Sequence, residues 1–271
     1  MTSLKGKVVI ITGASSGFGE HAARLFSREG CQVVLAARRL EKLEFLADEL
    51  RAEGGDALPV VTDVTQPDQI QAMVQSTIDR YGRIDILFNN AGFGRMDWLE
   101  SLEPIQDIER QIVADLLGVI WTARAVLPHM YRQHSGHIIN MSSIAGWAAP
   151  PLYSIYSAAK FGIRGFTEAL RREAAPMGVH VSAIYPGSSP TEFQKHMGEN
   201  RAKKRFSTPE WLRVTPEQVA QGVVDLAKRP RRSLFLPKIM GLSVFINSHF
   251  PGISDRAQIK AFAPYHEQDL R

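Results

Sequence analysis

The chain of 271 residues has a single cysteine, Cys31, which excludes an internal disulfide and any metal cluster built from cysteines. Such sparse use of cysteine fits a reducing compartment, so we expect a cytoplasmic protein. The N-terminal stretch MTSLKGKVVIITG has an apolar run too short for the core of an export signal. The eight histidines show no spacing coupled to carboxylates, so no metal site is expected.

The chain also lacks a strong excess of either charge, because its formal net charge is only +4. Two short basic runs, RAKKR (201–205) and KRPRR (228–232), are either solvated loops or segments that attract phosphate. No aromatic residues interleave with these runs and no recognition-helix pattern is present. A nucleic-acid partner is therefore not expected.

What the sequence does contain is a regular alternation of short apolar runs, rich in β-branched residues, with longer runs of helical period. This alternation is typical of βαβ units and a parallel sheet. No linker or internal repeat interrupts it, so residues 1–271 are predicted to form a single α/β domain. The predicted strands are 7–13, 32–37, 57–62, 84–92, 137–143, 179–187 and 233–237. The predicted helices are 17–29, 39–53, 67–80, 104–133, 154–175 and 216–228.

Two segments depart from this rhythm. Residues 188–215 are polar, with charges of both signs, and loops of this length are usually functional lids or disordered segments. We expect this segment to be a substrate loop. The C-terminal tail, 238–271, begins with KIMGLSVFINSHF, which is too short and interrupted to span a bilayer. It is a core-packing helix, a wall of the substrate pocket or a peripheral membrane contact, and the sequence leaves these three open.

A glycine-rich turn, ITGASSGFG, follows the first predicted strand at once and opens a helix. Gly13 would permit the tight turn, Gly17 would let the backbone approach a pyrophosphate, and Gly19 would allow close packing of helix on strand. The helix N-terminus offers free N–H groups to the anion. The turn therefore predicts a dinucleotide site.

The second predicted strand ends in LAARR, where an NAD-binding domain usually presents an acidic side chain to the ribose 2′-hydroxyl. Ala37 occupies that position here, and Arg38 and Arg39 follow it. A guanidinium can bind a 2′-phosphate that a carboxylate would repel, so we expect NADP(H) in preference to NAD(H). The alternative, that both arginines merely begin a solvated helix, stays open.

One further stretch, YSIYSAAKFG (153–162), places Lys160 one helical turn after Tyr156. Tyr153 has no lysine at that distance. A tyrosine of ordinary pKa, near ~10, is a poor proton donor at neutral pH, and a nearby ammonium would lower that pKa. The pair is therefore a candidate acid and its tuning cation.

Five motifs together resemble the short-chain dehydrogenase/reductase family in its compact single-domain form, over roughly residues 5–235. They occur in the family's order: the glycine turn, NNAG (89–92), a serine thirteen residues before Tyr156, the Tyr156/Lys160 pair, and PG (186–187). The resemblance implies a doubly wound Rossmann sheet of seven parallel strands. It also implies an oligomer, dimer or tetramer, in which the long helices around 104–133 and 154–175 pair.

The resemblance assigns cofactor contacts to matching positions. Asp63 and Val64 would lie beside the adenine, the segment from Asn89 to Gly92 would line the groove, and the segment after Pro186 would meet the nicotinamide. For Asp63, a role as a helix cap or turn residue stays open. The full expected set is Gly13, Ser15, Ser16, Gly17, Phe18, Gly19, Arg38, Arg39, Asp63, Val64, Asn90, Ala91, Gly92, Tyr156, Lys160, Pro186, Gly187, Ser189 and Thr191.

The resemblance also implies the catalytic roles. Tyr156 would be the acid/base, and Lys160 would lower its pKa and bind the nicotinamide ribose. Ser143 would hydrogen-bond the substrate oxygen, whereas Ser142 faces the other way by strand alternation. Asp115 stands where the family usually has an asparagine that holds a relay water, and an ionised carboxylate cannot donate a hydrogen bond. Ser189 is a second departure, at a position that is usually apolar.

The sequence thus predicts an NADP(H)-dependent oxidoreductase that interconverts a secondary alcohol and a ketone or aldehyde. Apolar residues near the expected pocket favour a hydrophobic substrate, such as a steroid, retinoid, lipid-derived or terpenoid carbonyl. These residues are Trp147, Pro150, Pro151, Leu152, Phe193 and the apolar residues of 239–246. The alternative function is a dinucleotide-binding regulator or scaffold without catalysis.

Overall fold

The computed structural model describes residues 2–190 and 209–269. Within them, seven strands form one parallel sheet in the order β3-β2-β1-β4-β5-β6-β7. This order is that of a doubly wound domain and confirms the predicted fold class. The strands are β1 Val8–Thr12, β2 Gln32–Ala37, β3 Asp56–Val61, β4 Ile86–Asn89, β5 Gly136–Met141, β6 Val179–Pro186 and β7 Ser233–Leu236.

Helices lie on both faces of the sheet. In the described residues they are α1 Gly17–Arg28, α2 Leu40–Ala52, α3 Pro67–Tyr81, α4 Pro104–Gln133, α5 Ser154–Ala174, α6 Pro216–Lys228, α7 Met240–His249 and α8 Pro251–Asp269. Helix α4 contains two π-helical stretches, Pro104–Glu109 and Val113–Leu117. The six helices predicted from periodicity are all present, whereas α8 had no predicted counterpart.

The core explains why the strands are continuous apolar runs rather than alternating ones. Val9 and Ile11 of β1 pack with α1, α2 and α6, while Val8 and Ile10 pack with α3, α4 and α5. All four side chains are fully buried. A sheet covered on both faces needs apolar residues at every position, which is the pattern that the sequence shows.

Helix α4 is long and apolar enough to cross a membrane by length and composition. Its apolar residues Ala123, Val126 and Met130 are fully buried against the sheet and the neighbouring helices. The hydropathy of α4 is thus that of a core helix.

Two of the four cationic side chains in the basic run 228–232 are ion-paired. Lys228 Nζ lies 2.6 Å from Glu29 Oε1, and Arg232 Nη2 lies 2.7 Å from Glu168 Oε1. These pairs favour the interpretation of this run as a charged surface rather than a phosphate site. The other run, RAKKR, lies outside the described residues.

Candidate active site

A cavity of about 940 Å³ lies at the carboxyl edge of the sheet. In a doubly wound sheet this edge is where ligands bind, beside the point at which the strand order reverses. Here that point lies between β1 and β4. Most of the residues predicted to bind cofactor line the cavity: Gly13, Ser15, Ser16, Gly17, Phe18, Arg38, Arg39, Asp63, Val64, Asn90, Ala91, Gly92, Tyr156, Lys160, Pro186, Gly187 and Ser189. Thr191 lies outside the described residues.

The glycine turn is as tight as its sequence predicts. Gly13 and Gly17 have φ of 68° and 56°, a region that other residues rarely adopt. A Cβ on Gly13 would stand 2.9 Å from the Cα of Ala91, and a Cβ on Gly19 would collide with the carbonyl oxygen of Gly13. Gly19 is buried and does not line the cavity, so its contribution is the close fit of α1 on β1.

Four hydrogen bonds join this turn to the residues that follow β4. The Thr12 hydroxyl accepts from the backbone N–H groups of Asn90 and Ala91, each at 3.0 Å. The Asn90 side chain donates to the carbonyl oxygens of Thr12 at 3.0 Å and Gly13 at 3.3 Å. The NNAG motif thus fixes the shape of the glycine turn.

Asn89, which was expected to line the groove, does not do so. Its side chain is buried and donates to the Val119 carbonyl at 3.2 Å and to Asn140 Oδ1 at 3.0 Å. Successive residues at a strand end point in opposite directions, so Asn90 reaches the cavity while Asn89 ties β4 to β5 and α4.

Two arginines flank the cavity beyond β2, and they differ. Arg39 donates to the Ser15 hydroxyl at 2.9 Å and to the Ser16 hydroxyl at 3.0 Å, which ties α2 to the glycine turn. Arg38 is exposed and has no hydrogen-bond or ion-pair partner among the residues described. The Arg38 guanidinium is therefore available to bind an anion at this end of the cavity.

At the same end, Asp63 has the turn role that the sequence left open. Its Oδ1 accepts from the backbone N–H of Thr65 at 2.9 Å and from the Thr65 hydroxyl at 2.8 Å. Because Asp63 also lines the cavity, holding this turn does not exclude contact with a ligand.

The predicted catalytic side chains meet at the other end of the cavity. Tyr156 and Lys160 lie on α5, with Lys160 Nζ 5.3 Å from the Tyr156 ring centre. Ser143 follows β5 and hydrogen-bonds Tyr156 through its side chain. Ser142 instead donates to the Lys160 carbonyl at 3.1 Å, as strand alternation predicts. Tyr153 packs edge-on against Tyr156, with ring centres 6.1 Å apart.

Asp115 lies behind these residues, in the second π-helical stretch of α4. It is fully buried, with Oδ2 3.8 Å from Lys160 Nζ and Oδ1 accepting from the Phe93 N–H at 2.8 Å. Burial raises the pKa of Asp115 to about 6, although Lys160 and the Phe93 N–H oppose the rise. Burial likewise lowers the pKa of Lys160, and Asp115 opposes that change.

The protein's own groups do not by themselves lower the pKa of Tyr156, and the predicted lowering relied on Lys160 together with the positive charge of an oxidised nicotinamide. Tyr156 is only 8% exposed, and burial raises its pKa above the ordinary value. The negative charge of Asp115 adds to the rise, and the hydrogen bond with Ser143 only partly offsets it. Lys160, whose ammonium would favour the phenolate, is paired with Asp115 at 3.8 Å.

Several apolar residues expected at the substrate end lie elsewhere. Trp147 packs between Arg164, 3.2 Å from its ring centre, and the rings of Tyr185 and Phe235. Pro151 and Leu152 do not line the cavity, Pro150 does, and Met240 alone does so from 239–246. Phe193 lies outside the described residues.

Sequence reasoning missed a second wall, made by the segment after NNAG and the start of α4. The lining residues there are Phe93, Met96, Ile105, Gln106, Glu109, Arg110 and Val113. The signal was available, because NNAG ends a strand at the carboxyl edge and the chain must cross the cavity to reach α4.

Comparisons with known proteins agree with this geometry. A profile of the short chain dehydrogenase family matches residues 7–202. An uncharacterised oxidoreductase of Staphylococcus saprophyticus is 36% identical over 237 residues, covering 86% of this chain and 94% of that protein.

Two solved structures are similar over most of the chain. A short chain dehydrogenase/reductase from Burkholderia phymatum in complex with NAD has a TM-score of 0.83 at 27% identity, covering 94% of this chain and 97% of that one. An alcohol dehydrogenase from the archaeon Thermococcus sibiricus, complexed with 5-hydroxy-NADP, has a TM-score of 0.76 at 27% identity, covering 85% and 96%.

Proposed function

Because this chain belongs to the short-chain dehydrogenase/reductase family of oxidoreductases, we propose that it interconverts a secondary alcohol and a ketone or aldehyde with NADP(H) as its dinucleotide. The observation that carries this proposal is the convergence of Tyr156, Ser143 and Lys160 on one cavity with the glycine turn.

The residues of the cavity fit a nicotinamide dinucleotide. A Cβ on Gly13 or Gly19 would collide with neighbouring atoms, so the turn stays tight, which suits the close approach of a pyrophosphate to the backbone and to the start of α1. Arg38 supplies a guanidinium for a 2′-phosphate, and no carboxylate at position 37 repels it. The similar structures hold both NAD and an NADP derivative, so the preference for NADP(H) rests on Ala37 and Arg38.

When bound, the dinucleotide supplies or accepts the hydride. The protein's own groups manage the oxygen of the substrate. In reduction, the Tyr156 hydroxyl donates its proton to the oxygen, and the Ser143 hydroxyl stabilises the negative charge that develops there. In oxidation, the Tyr156 phenolate takes the alcohol proton. Lys160 holds the nicotinamide ribose beside Tyr156.

The substrate is proposed to be a hydrophobic carbonyl compound or alcohol, of steroid, retinoid, lipid-derived or terpenoid type. Phe93, Met96, Ile105, Leu212 and Met240 contribute apolar walls to the cavity. Such walls favour an apolar ligand because its burial removes apolar surface from water. A turnover screen in which polar sugars outcompete apolar ketones would overturn this assignment.

The function is tested by the loss of NADPH absorbance in the presence of a panel of apolar and polar carbonyl compounds. Turnover should occur with the wild type, and Tyr156→Phe should abolish it while leaving NADPH binding nearly intact. Tyr131→Phe, on the sheet-packed part of α4, is the matched control and should keep wild-type turnover. Tight NADPH binding without turnover on any compound would instead favour the alternative, a regulator or scaffold.

We also propose that the protein is a homodimer or homotetramer assembled through α4 and α5. Light scattering after size-exclusion chromatography tests this proposal directly. A monomer at micromolar concentration would refute it.

A further inference from the structure

The acidic side chain of Asp115 lies beside the proposed catalytic residues Tyr156 and Lys160. It is fully buried, and Lys160 beside it is only 5% exposed. Its Oδ2 lies 3.8 Å from Lys160 Nζ and has no hydrogen-bond partner within residues 2–190 and 209–269. A buried carboxylate is unfavourable unless a nearby charge compensates it.

The carboxyl group is held in this orientation from its other side. Oδ1 accepts from the Phe93 N–H at 2.8 Å. A Cβ on Gly92 would stand 2.7 Å from the same oxygen, so a larger residue at 92 would displace the carboxyl group. Backbone and glycine together therefore keep Oδ2 directed at Lys160.

The charges around Tyr156 follow from this arrangement. Tyr156 is faced by Lys160 on α5, by Tyr153 just before α5, by Asp115 on α4 and by the Ser143 hydroxyl after β5. Ionised Asp115 and protonated Lys160 sum to zero charge. With an asparagine at 115, protonated Lys160 would leave a net positive charge at the same place and would favour the phenolate.

We infer that Asp115 is a positioning residue that compensates the charge of Lys160 and thereby keeps the Tyr156 hydroxyl in its proton-donating form. The inference rests on the proposed function for its catalytic meaning, since it concerns the same site. Its consequence is that reduction of the carbonyl compound persists to a higher pH than it would with an asparagine at 115, while oxidation reaches its plateau only at a higher pH.

The first test needs no cofactor. Ring-carbon NMR of ¹³C-tyrosine-labelled protein follows phenolate formation, and Tyr156→Phe assigns the signal. In Asp115→Asn, the ionised fraction of Tyr156 should be about tenfold larger at the most alkaline pH at which circular dichroism shows both proteins folded. Asp79→Asn, which removes a surface carboxylate on α3, is the matched control and should leave that fraction unchanged.

The second test is the pH dependence of kcat/KM. In Asp115→Asn the alkaline fall of the reduction rate, and the rise of the oxidation rate to its plateau, should both move down by about one pH unit. A merely structural role of Asp115 would lower the rates without moving these transitions.

Unchanged Tyr156 ionisation in a folded Asp115→Asn protein overturns the inference even if the enzyme turns over. Altered Tyr156 ionisation in Asp115→Asn, together with no turnover of any substrate by the wild type, supports the inference and refutes the proposed function, so the two failures are distinguishable. If Asp115→Asn does not fold, Asp115→Ser removes the same charge with a smaller side chain. The ionised fraction of Tyr156 should rise in that variant as well, and an unchanged fraction overturns the inference.

Discussion

Arg38→Asp is the substitution that most directly tests which dinucleotide this protein prefers. Arg38 lies just beyond β2, is exposed on the cavity wall, and has no partner among the described residues that it must release. Arg39 is different, because its guanidinium already holds Ser15 and Ser16. The change at 38 therefore removes a charge without dismantling the glycine turn.

The size of the effect follows from the contact that is lost. A hydrogen bond to a charged group contributes about 1.5–3 kcal/mol, and about 1.4 kcal/mol corresponds to a tenfold change in affinity. Loss of a guanidinium–phosphate contact should thus weaken NADPH binding by about 10- to 100-fold, and repulsion by the new carboxylate adds to this. NADH has no 2′-phosphate, and its free ribose hydroxyl can donate to the carboxylate, so its affinity should hold or rise.

The assay compares the Kd of NADPH and of NADH for both proteins at one stated ionic strength, because exposed charges are screened by salt. The charge-matched control is Arg132→Asp, which is near the C-terminal end of α4 and outside the cavity lining. It should leave both affinities within about twofold. If Arg38→Asp leaves the ratio of the two affinities unchanged, Arg38 does not select the dinucleotide.

Three other substitutions test separate parts of the argument. Gly19→Ala should lower the thermal midpoint and weaken both dinucleotides, because its Cβ would meet the Gly13 carbonyl, whereas Gly165→Ala, with open space around it, should do neither. Arg39→Met should weaken NADPH and NADH about equally if Arg39 shapes the turn, and a selective loss of NADPH would refute that role. Burial lowers the pKa of His137 to about 3, so its stabilising effect is present above about pH 6.5 and is lost as the pH falls toward 3. Lowering the pH from 7 to 5 should therefore reduce the free energy of unfolding by about 2 kcal/mol through this group. Urea denaturation at the two pH values should show this reduction in the wild type and not in His137→Asn.

The sheet could be predicted from sequence because its strands are buried on both faces. A run such as VVIIT in β1 has no polar alternation, and the glycine turn after it marks the carboxyl edge where ligands bind. Ser143 was distinguished from Ser142 by its spacing to Tyr156 and by the alternation of side chains along a strand. These inferences need only neighbours in the chain, so a single sequence carries them.

The errors concern contacts between distant segments. Asn89 was expected in the groove, but its partners Val119 and Asn140 come from α4 and β5. Trp147 was assigned to the substrate pocket, yet Arg164, Tyr185 and Phe235 enclose it. Helix α8, which packs on α7, is only weakly amphipathic. Its sequence therefore lacks the strong hydrophobic periodicity from which a helix is predicted. Nothing in the local pattern of any of these segments reveals its partner.

The charge state of the catalytic tyrosine is the clearest case of this difference. The spacing of Tyr156 and Lys160 places an ammonium near a phenol, and from that fact alone a lowered pKa follows. The structure adds Asp115, which the chain brings from 45 residues away in sequence to within 3.8 Å of the ammonium. Because a compensated ammonium exerts little field, burial then dominates and the pKa of Tyr156 rises. Motif spacing thus predicts which groups meet, whereas their protonation depends on every charge that the fold brings beside them.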